Sequence, residues 1–242
     1  MTGRRPGRRS PLRAVVTDID GTLTDPTRRL NTPAVELLRQ VQDRGVAVVL
    51  ATGNVLPVAL AIHRSIGLTG PIVAENGGLI YRKFEGRDVV ERLARRSVAM
   101  SAFRKLRADG IPVRQLFTDR WRETEVAIEQ PAPLRAIRAA LAGTGVVAEP
   151  TGYAIHLMER GAGKRTALAR ALGRLDLTLA DCFVAGDGDN DVAMLRAAGF
   201  GASFPNGSAR ARAAADYVSR RPYADGFVEA LMVSGLVPRS GR

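Results

Sequence analysis

The chain has 242 residues and a formal net charge of +12, from 36 lysines and arginines against 24 acidic residues. Its length predicts one large domain or two unequal ones. Hydrophobic residues at 45% and charged residues at 25% exclude a wholly disordered, fibrous or membrane-embedded chain, and no stretch approaches the roughly 18 apolar residues of a membrane span.

An arginine-rich segment opens the sequence. Residues 1–11 contain Arg4, Arg5, Arg8 and Arg9 among glycine, proline and serine, and no acidic residue precedes Asp18. Such a composition predicts a disordered basic tail. The segment lacks the apolar stretch of a secretory signal, so we expect a cytoplasmic protein with no membrane partner.

Strands and helices are predicted to alternate through the first third of the chain. Short apolar runs at 14–17, 46–50 and 72–74 are typical of buried strands, and each ends at a polar or glycine-containing loop. One helix is predicted with Thr32 as its N-cap and Pro33 at its first position, and a second is predicted over 56–66. This order indicates a parallel sheet that helices cover on both faces.

The pattern changes between residues 82 and 160. There we expect a small sheet with helices on one face, inserted into the larger fold. Its predicted elements are a helix at 89–106, strands at 113–118 and 124–128, a helix at 133–142, and strands at 146–149 and 154–158.

The alternating pattern returns after Gly161. Helices are predicted at 164–172 and 189–198 and strands at 182–185 and 215–218. The one cysteine, Cys182, falls in a strand and is expected to be a buried core residue. The fold class is therefore α/β, with a core domain of residues 12–81 and 161–242 and an inserted domain of residues 82–160.

The first candidate site residues follow the first strand. Residues 18–24 read Asp-Ile-Asp-Gly-Thr-Leu-Thr, which places Asp18 and Asp20 at the carboxyl end of a buried strand, where ligands bind in open α/β sheets. One carboxylate could attack while the other moves a proton. A calcium loop would need more oxygen ligands and a closing glutamate, which are absent here.

A second acidic loop follows the strand at 182–185. Residues 186–191 read Gly-Asp-Gly-Asp-Asn-Asp and place three carboxylates, those of Asp187, Asp189 and Asp191, within five residues. Carboxylates this close together repel one another unless a cation neutralises them. Oxygen ligands favour Mg²⁺ in an intracellular protein. The alternative is a solvated acidic turn.

Two further segments suit a phosphate group. Thr52, Gly53 and Asn54 combine a hydroxyl with backbone amides at the end of the second strand, and Lys164 begins a helix. Hydroxyls, exposed N–H groups and an ammonium all stabilise oxyanion charge. Taken alone, the first segment could be an ordinary helix start and the second a surface lysine.

Read in order, these four motifs resemble those of the haloacid dehalogenase superfamily of aspartate-nucleophile phosphatases. The position of the insertion resembles the Cof-like, sugar-phosphatase branch. Within it, the compact insertion, the Thr-Gly-Asn motif and residues 72–78 resemble the archaeal-type phosphoglycolate phosphatases. The resemblance covers residues 12–233 and implies a Rossmann-like core with an α+β cap, but it supplies no role for the tail.

The resemblance also implies a role for each motif. Asp18 would attack the phosphorus of a monoester to form an aspartyl-phosphate, and Asp20 would act as acid and then as base. Mg²⁺ would be held by Asp18, the Asp20 carbonyl, Asp187 and Asp191. The phosphate would be bound by Lys164, Thr52, Gly53, Asn54 and Asn190.

The implied substrate is a small phosphorylated organic acid, of which 2-phosphoglycolate fits the resemblance best. For such an acid the cap need only offer a cation, and Arg120 and Arg122 are the candidates, in what reads as a turn between two strands. The alternative is that both are ordinary charged residues of a surface turn. The two histidines, His63 and His156, are expected to be packed structural residues.

Other functions stay open at this stage. The same chemistry could act on a sugar phosphate, a nucleotide or pyridoxal phosphate, or could transfer the phosphoryl group to a second substrate. The positive charge alternatively suggests a nucleic-acid-binding protein. Scarce aromatic residues disfavour that reading, so no nucleic-acid partner is expected, and the protein is predicted to be a monomer or homodimer.

Overall fold

Two β-sheets organise the chain. The computed structural model describes residues 11–237. The larger sheet has eight strands in the order β11-β10-β9-β1-β2-β3-β4-β5, and the smaller has three in the order β6-β8-β7. The strands from β11 to β3 are parallel, and helices pack on the sheet, so the predicted α/β class is confirmed.

The large sheet contains two blocks of the chain. The first block contains β1 (Ala14–Thr17), α1 (Thr32–Asp43), β2 (Ala47–Ala51), α2 (Leu56–Ile66), β3 (Ile72–Ala74), β4 (Leu79–Phe84) and β5 (Arg87–Arg92). The second contains α5 (Lys164–Gly173), β9 (Cys182–Ala185), α6 (Val192–Ala197), β10 (Phe200–Ser203), α7 (Ala209–Ala214), β11 (Tyr217–Val218) and α8 (Tyr223–Ser234).

Burial explains why the central strands are apolar throughout. Every residue of β1, β3 and β9 is buried. Alternate residues of β1 face opposite cores: Val15 packs with α1 and α8, whereas Ala14 and Val16 pack with α5 and α6. Because both faces exclude water, no polar alternation is possible along these strands.

Most predicted boundaries in these two blocks agree with the structure. The strands at 14–17, 72–74 and 182–185 and the helix at 56–66 match residue for residue. The cap of α1 differs, because the Asn31 side chain accepts from the Ala34 N–H at 3.0 Å, one residue before the predicted cap. Strand β10 was not predicted at all, and residues 189–191 form a 3-10 turn ahead of α6.

A hairpin corrects the predicted start of the insertion. The residues of β4 pair antiparallel with β3 and then with β5, so the large sheet extends to Arg92. The boundary predicted at residue 82 falls inside β4 and is therefore too early. The helix predicted at 89–106 is wrong in its first part for the same reason: residues 89–92 complete a sheet edge, and the helix starts at Arg96.

We call residues 96–159 the cap segment. It contains α3 (Arg96–Ala108), β6 (Val126–Glu129), α4 (Leu134–Ala140), β7 (Val146–Pro150) and β8 (Ala154–Glu159), with their own apolar core. The strand predicted at 113–118 is wrong. Only Gln115 forms an isolated bridge, to Ile128, and Phe117–Trp121 form a 3-10 turn.

The predictions about the chain ends concern residues that are mostly outside the described range. The predicted tail, except Pro11, falls outside residues 11–237 and stays a prediction. Across residues 11–237, no helix has both the length and the apolar character needed to cross a membrane.

Candidate active site

A cavity of about 320 Å³ lies where the carboxyl ends of β1, β2 and β9 meet the turn between β7 and β8 of the cap segment. Parallel strands bring their carboxyl ends to one edge, which is why three distant motifs converge here. Its lining combines loops after the three strands with the cap turn: Asp18, Asp20, Arg28, Thr52, Gly53, Thr151, Gly152, Tyr153, Asp187, Gly188 and Asn190, among others.

Lys164 joins two of the predicted carboxylates. Its ammonium lies 2.9 Å from Asp18 Oδ1 and 2.7 Å from Asp191 Oδ1, and the lysine side chain is fully buried. Burial alone would lower the pKa of Lys164, but Asp18 and then Asp191 raise it above its usual value. The lysine is therefore a permanent cation beside Asp18.

Three carboxylates form a site that fits a divalent cation. Single oxygens of Asp18, Asp187 and Asp191 all lie within 4.8 Å of one another. Burial raises the pKa of Asp18 well above its usual value despite Lys164, and burial together with Asp191 raises the pKa of Asp187 to about 7. Oxygen ligands under mutual repulsion are the donor set that a hard cation such as Mg²⁺ prefers.

Small residues and hydrogen bonds hold these acids in place. A Cβ at Gly21 would overlap the Asp187 carboxylate, and one at Gly186 would overlap Asp191. Thr22 Oγ1 donates to Asp187 Oδ1 at 3.1 Å. The second oxygen of Asp191 accepts from the N–H groups of Asp187 and Gly188, at 3.0 and 2.9 Å, so Asp191 also shapes the acidic loop.

Asp20 points away from this cluster toward the loop of Thr52, Gly53 and Asn54. Asn54 Nδ2 donates to Asp20 Oδ2 at 2.9 Å, and the Asn54 N–H donates to Thr52 Oγ1 at 3.0 Å. Asp20 is only partly buried, and both it and Thr52 line the cavity. The arrangement can therefore separate two functions: Asp18 lies against a cation and Asp20 against a neutral amide.

A buried polar network ties the site to the cap segment. Asn190 Nδ2 donates to Asn76 Oδ1 at 2.9 Å, and Asn76 Nδ2 donates to Glu125 Oε2 at 3.1 Å. Glu125 pairs with Arg122, whose Nη1 also donates to the Gly53 carbonyl at 3.0 Å. The network therefore begins at the acidic loop and ends on the predicted phosphate loop.

Charge balance stabilises this network. Burial would raise the pKa of Glu125, but His156, 2.8 Å from Glu125 Oε1 through Nδ1, and Arg122 lower it. Nearby, the buried Glu75 carboxylate accepts from Thr124 Oγ1 at 2.7 Å and from the Thr124 N–H at 2.9 Å. His156 is thus a packed structural residue, as predicted.

Some predicted residues lie elsewhere. Arg120 is exposed and stacks over the Phe117 and Trp121 rings, at 4.3 and 5.7 Å from their centroids, so it does not line the cavity. Asp189 accepts from Ser208 Oγ at 2.6 Å, away from the acid cluster. The remaining predicted residues come together: Asp18, Asp20, Thr52, Gly53, Asn54, Lys164, Asp187, Asn190 and Asp191.

The sequence reasoning missed Asn76, Arg28 and Tyr153. Asn76 lies in the 72–78 segment that supported the resemblance, and the Asn76–Gly77 dipeptide was the readable signal of a turn, in which Asn76 adopts a left-handed φ of 54°. Arg28 and Tyr153 line the cavity from the loop after β1 and from the cap turn. Neither belongs to a recognisable motif, and only folding brings them together.

Comparisons with known proteins find similarity along most of the chain. A family model for haloacid dehalogenase-like hydrolases matches residues 15–122 and 128–231. The phosphoglycolate phosphatase of Methanoculleus marisnigri is 37% identical, over 91% of this chain and 95% of that protein. The phosphoglycolate phosphatase of Archaeoglobus fulgidus is 36% identical, over 93% of this chain and 98% of that protein.

The fold also matches a solved structure. The crystal structure of Thermoplasma acidophilum 0175 superposes with a TM-score of 0.86 at 27% identity. The match covers 94% of this chain and 100% of the other. The similarity therefore extends through both sheets.

Proposed function

Given that this chain belongs to the haloacid dehalogenase-like hydrolases and is a phosphatase, we propose that it is a Mg²⁺-dependent phosphomonoesterase. Its proposed reaction converts 2-phosphoglycolate and water to glycolate and phosphate. The observation that carries the proposal is the contact of the buried Lys164 ammonium with Asp18, beside Asp187 and Asp191. These groups bind a phosphate dianion next to a carboxylate that can attack it.

Asp18 is the nucleophile of this reaction. One of its oxygens forms a bond to phosphorus while the bond from phosphorus to the glycolate oxygen breaks, which yields an aspartyl-phosphate. Two negative groups must approach each other in this step, and Lys164 offsets their repulsion at 2.9 Å from Asp18. Water then attacks phosphorus, and the bond to Asp18 breaks.

Asp20 moves the protons. It donates one to the departing glycolate oxygen and accepts one from the attacking water, so it is restored after each turnover. Asn54 orients its carboxyl group through the 2.9 Å hydrogen bond.

The cation and the phosphate loop complete the site. Asp18, Asp187, Asp191 and the Asp20 carbonyl would hold Mg²⁺, which when bound neutralises charge on the phosphoryl group. Thr52, Gly53, Asn54 and Asn190 bind and orient phosphoryl oxygens. Arg122 donates to the Gly53 carbonyl from the cap side, which links this loop to the cap segment.

The relatives support the choice of substrate. The proteins of Methanoculleus marisnigri and Archaeoglobus fulgidus both carry the name phosphoglycolate phosphatase, and each matches nearly the whole chain. The cavity of about 320 Å³ suits a small ester.

We further propose that the cap segment is a separate domain, joined to the core through residues 93–95 and 160–163. It would close over the cavity and exclude water.

Phosphate release from a panel of phosphate monoesters tests this function. We expect 2-phosphoglycolate to give the highest kcat/KM, and we expect chelation to abolish turnover and Mg²⁺ to restore it. A mock preparation from cells that do not express the protein, purified in parallel, controls for contaminating phosphatases. A higher kcat/KM on a sugar phosphate, a nucleotide or pyridoxal phosphate would reassign the substrate, and no release from any ester would reject the function.

The nucleic-acid alternative receives little support. Many arginines of the described residues are neutralised by acidic partners, in the pairs Arg64–Asp88, Arg92–Glu123, Arg95–Glu159, Arg96–Asp119, Arg170–Glu91, Arg174–Glu91 and Arg210–Asp189. A salt-dependent shift assay with and without residues 1–13 tests it directly. The cytoplasmic location and the monomeric or dimeric state stay predictions.

A further inference from the structure

We propose that Arg28, stacked on Tyr153, binds the carboxylate of the substrate's leaving group. This assignment rests on the proposed phosphatase function and deepens it, because it names the group that selects a phosphorylated acid over a neutral ester. It also replaces Arg120 and Arg122, the residues that the sequence suggested for this role.

The two residues face the cavity from opposite parts of the fold. Arg28 lies in the loop after β1, and Tyr153 lies in the turn between β7 and β8 of the cap segment. The Arg28 guanidinium carbon is 5.1 Å from the Tyr153 ring centroid, within the range of a cation–π contact. The pair therefore spans the gap between the large sheet and the cap.

The loop that carries Arg28 is held by its own hydrogen bonds. Asp25 Oδ1 accepts from the N–H groups of Thr27 and Arg29, at 2.8 and 3.0 Å, and the Arg28 N–H donates to the Asp25 carbonyl at 3.0 Å. Arg28 itself has a φ of 67°, a left-handed conformation that is uncommon outside glycine. The turn thus fixes the direction of the Cα–Cβ bond from which the long cationic side chain extends.

Charge distribution in the cavity points to an anionic leaving group. The described residues that line it include four acids, Asp18, Asp20, Asp25 and Asp187, and a single cation, Arg28. The phosphoryl group already has Lys164 and the metal site. A second anionic group on the substrate would be repelled by the acids and needs a cation of its own, which only Arg28 supplies from the lining.

The guanidinium group is also free to bind. Across residues 11–237, no hydrogen bond or ion pair occupies the Arg28 side chain, which contacts Tyr153 through the ring face. Stacking leaves the N–H groups at the edge of the guanidinium plane available, and these match a carboxylate in bidentate geometry. The Tyr153 hydroxyl is buried without a partner among the described residues and lies in the same wall.

The two arginines that the sequence suggested for this role have other partners in the structure. Arg122 is fully buried, paired with Glu125 and bonded to the Gly53 carbonyl, and it does not line the cavity. Arg120 stacks on exposed aromatic rings. Neither can reach a leaving group without breaking those contacts.

Two esters that differ only in the carboxylate test the assignment. The ratio of kcat/KM for 2-phosphoglycolate to kcat/KM for ethyl phosphate is measured in the wild type, Arg28→Gln, Arg28→Lys and Arg29→Gln. We expect Arg28→Gln to lower this ratio roughly 10- to 100-fold, the size of one charge-assisted hydrogen-bonded contact. Arg28→Lys should recover part of it. Arg29→Gln removes the same charge from the same loop at an exposed position outside the cavity lining and should leave the ratio within about threefold.

The outcomes separate this inference from the proposed function. If the wild type prefers 2-phosphoglycolate and Arg28→Gln keeps that preference, the inference is overturned while the function stands. If the wild type hydrolyses both esters equally, the carboxylate site and the substrate are rejected but phosphatase activity is kept. If it hydrolyses neither, both proposals fail. Circular dichroism of each variant controls for the fold.

Discussion

The Lys164 ammonium lies between two carboxylates, 2.9 Å from Asp18 Oδ1 and 2.7 Å from Asp191 Oδ1, in a fully buried position. A single cation therefore holds the end of β1 and the loop after β9 at one point. The space is shaped for a compact ammonium, because both oxygens are already at hydrogen-bond distance.

Replacing Lys164 by arginine should consequently impair the enzyme although the charge is kept. The planar guanidinium is larger than the ammonium and cannot occupy the same buried point without displacing Asp18 or Asp191. We expect kcat to fall roughly 100-fold or more. Lys105→Arg is the matched control, since Lys105 is exposed and pairs with Asp109 on the surface. Equal kinetics for the two variants would contradict the role of Lys164.

Asp18→Asn should abolish turnover while preserving the fold. The amide keeps the shape of the carboxylate but cannot form the phosphoryl bond, so we expect a loss of about 10⁴-fold or more in kcat. Asp189→Asn, in the acidic loop after β9, should retain activity because Asp189 faces Ser208 and Arg210. Phosphate release checks both variants. An active Asp18→Asn enzyme would show that another group attacks phosphorus.

Mg²⁺ should stabilise the folded protein through the three buried acids. Binding only to the folded state adds about 2.7 kcal/mol at a concentration 100 times the dissociation constant. Asp187→Asn removes one repelling carboxylate, so it should raise the Tm of the metal-free protein and shrink the shift that Mg²⁺ produces. Thermal unfolding with chelator and with Mg²⁺ measures both effects. An unchanged Mg²⁺ shift would remove Asp187 from the site.

The buried pair of Arg122 and Glu125 should matter for stability as well as activity. Arg122→Gln leaves Glu125 without its arginine partner, which costs about 3 kcal/mol, and it frees the Gly53 carbonyl, so kcat should also fall. The exposed Arg120→Gln should change stability by less than about 0.5 kcal/mol. Urea unfolding distinguishes them, and equal stabilities would refute the network.

His63 should make the protein less stable in mild acid. Its Nε2 lies 2.8 Å from the Gly70 carbonyl, and Nδ1 is buried without a partner among the described residues. Burial lowers the pKa of His63 in the folded state. The unfolded chain therefore binds a proton first as the pH falls below about 6.5, and stability is lost progressively from that point.

Unfolding free energies at pH 7.5 and pH 5.5 check this effect. The difference between the two pH values should be larger for the wild type than for His63→Gln, because glutamine does not titrate. Other titrating groups contribute equally to both proteins and cancel. A difference of the same size in the variant would show that His63 binds protons equally in both states.

Local patterns predicted the parts of the fold that depend on near neighbours. The runs at 14–17, 72–74 and 182–185 are buried on both faces, so an unbroken apolar sequence was sufficient to identify them. The failures fall where a distant partner decides. Residues 87–92 are a strand because β4 pairs with them, and their mixed sequence carries no apolar period that would reveal it.

The sequence by itself determined the fold class and placed Asp18, Asp20 and the acidic loop after buried strands, because the carboxyl ends of parallel strands meet at one edge of a sheet. The tertiary structure alone decided which groups Arg122 and Arg28 contact. Arg122 joins a buried network and Arg28 meets Tyr153 at the cavity. The physical reason is that the contacts of a long cationic side chain depend on which partners the fold brings within reach, and Gly53 for Arg122 and Tyr153 for Arg28 come from distant segments of the sequence.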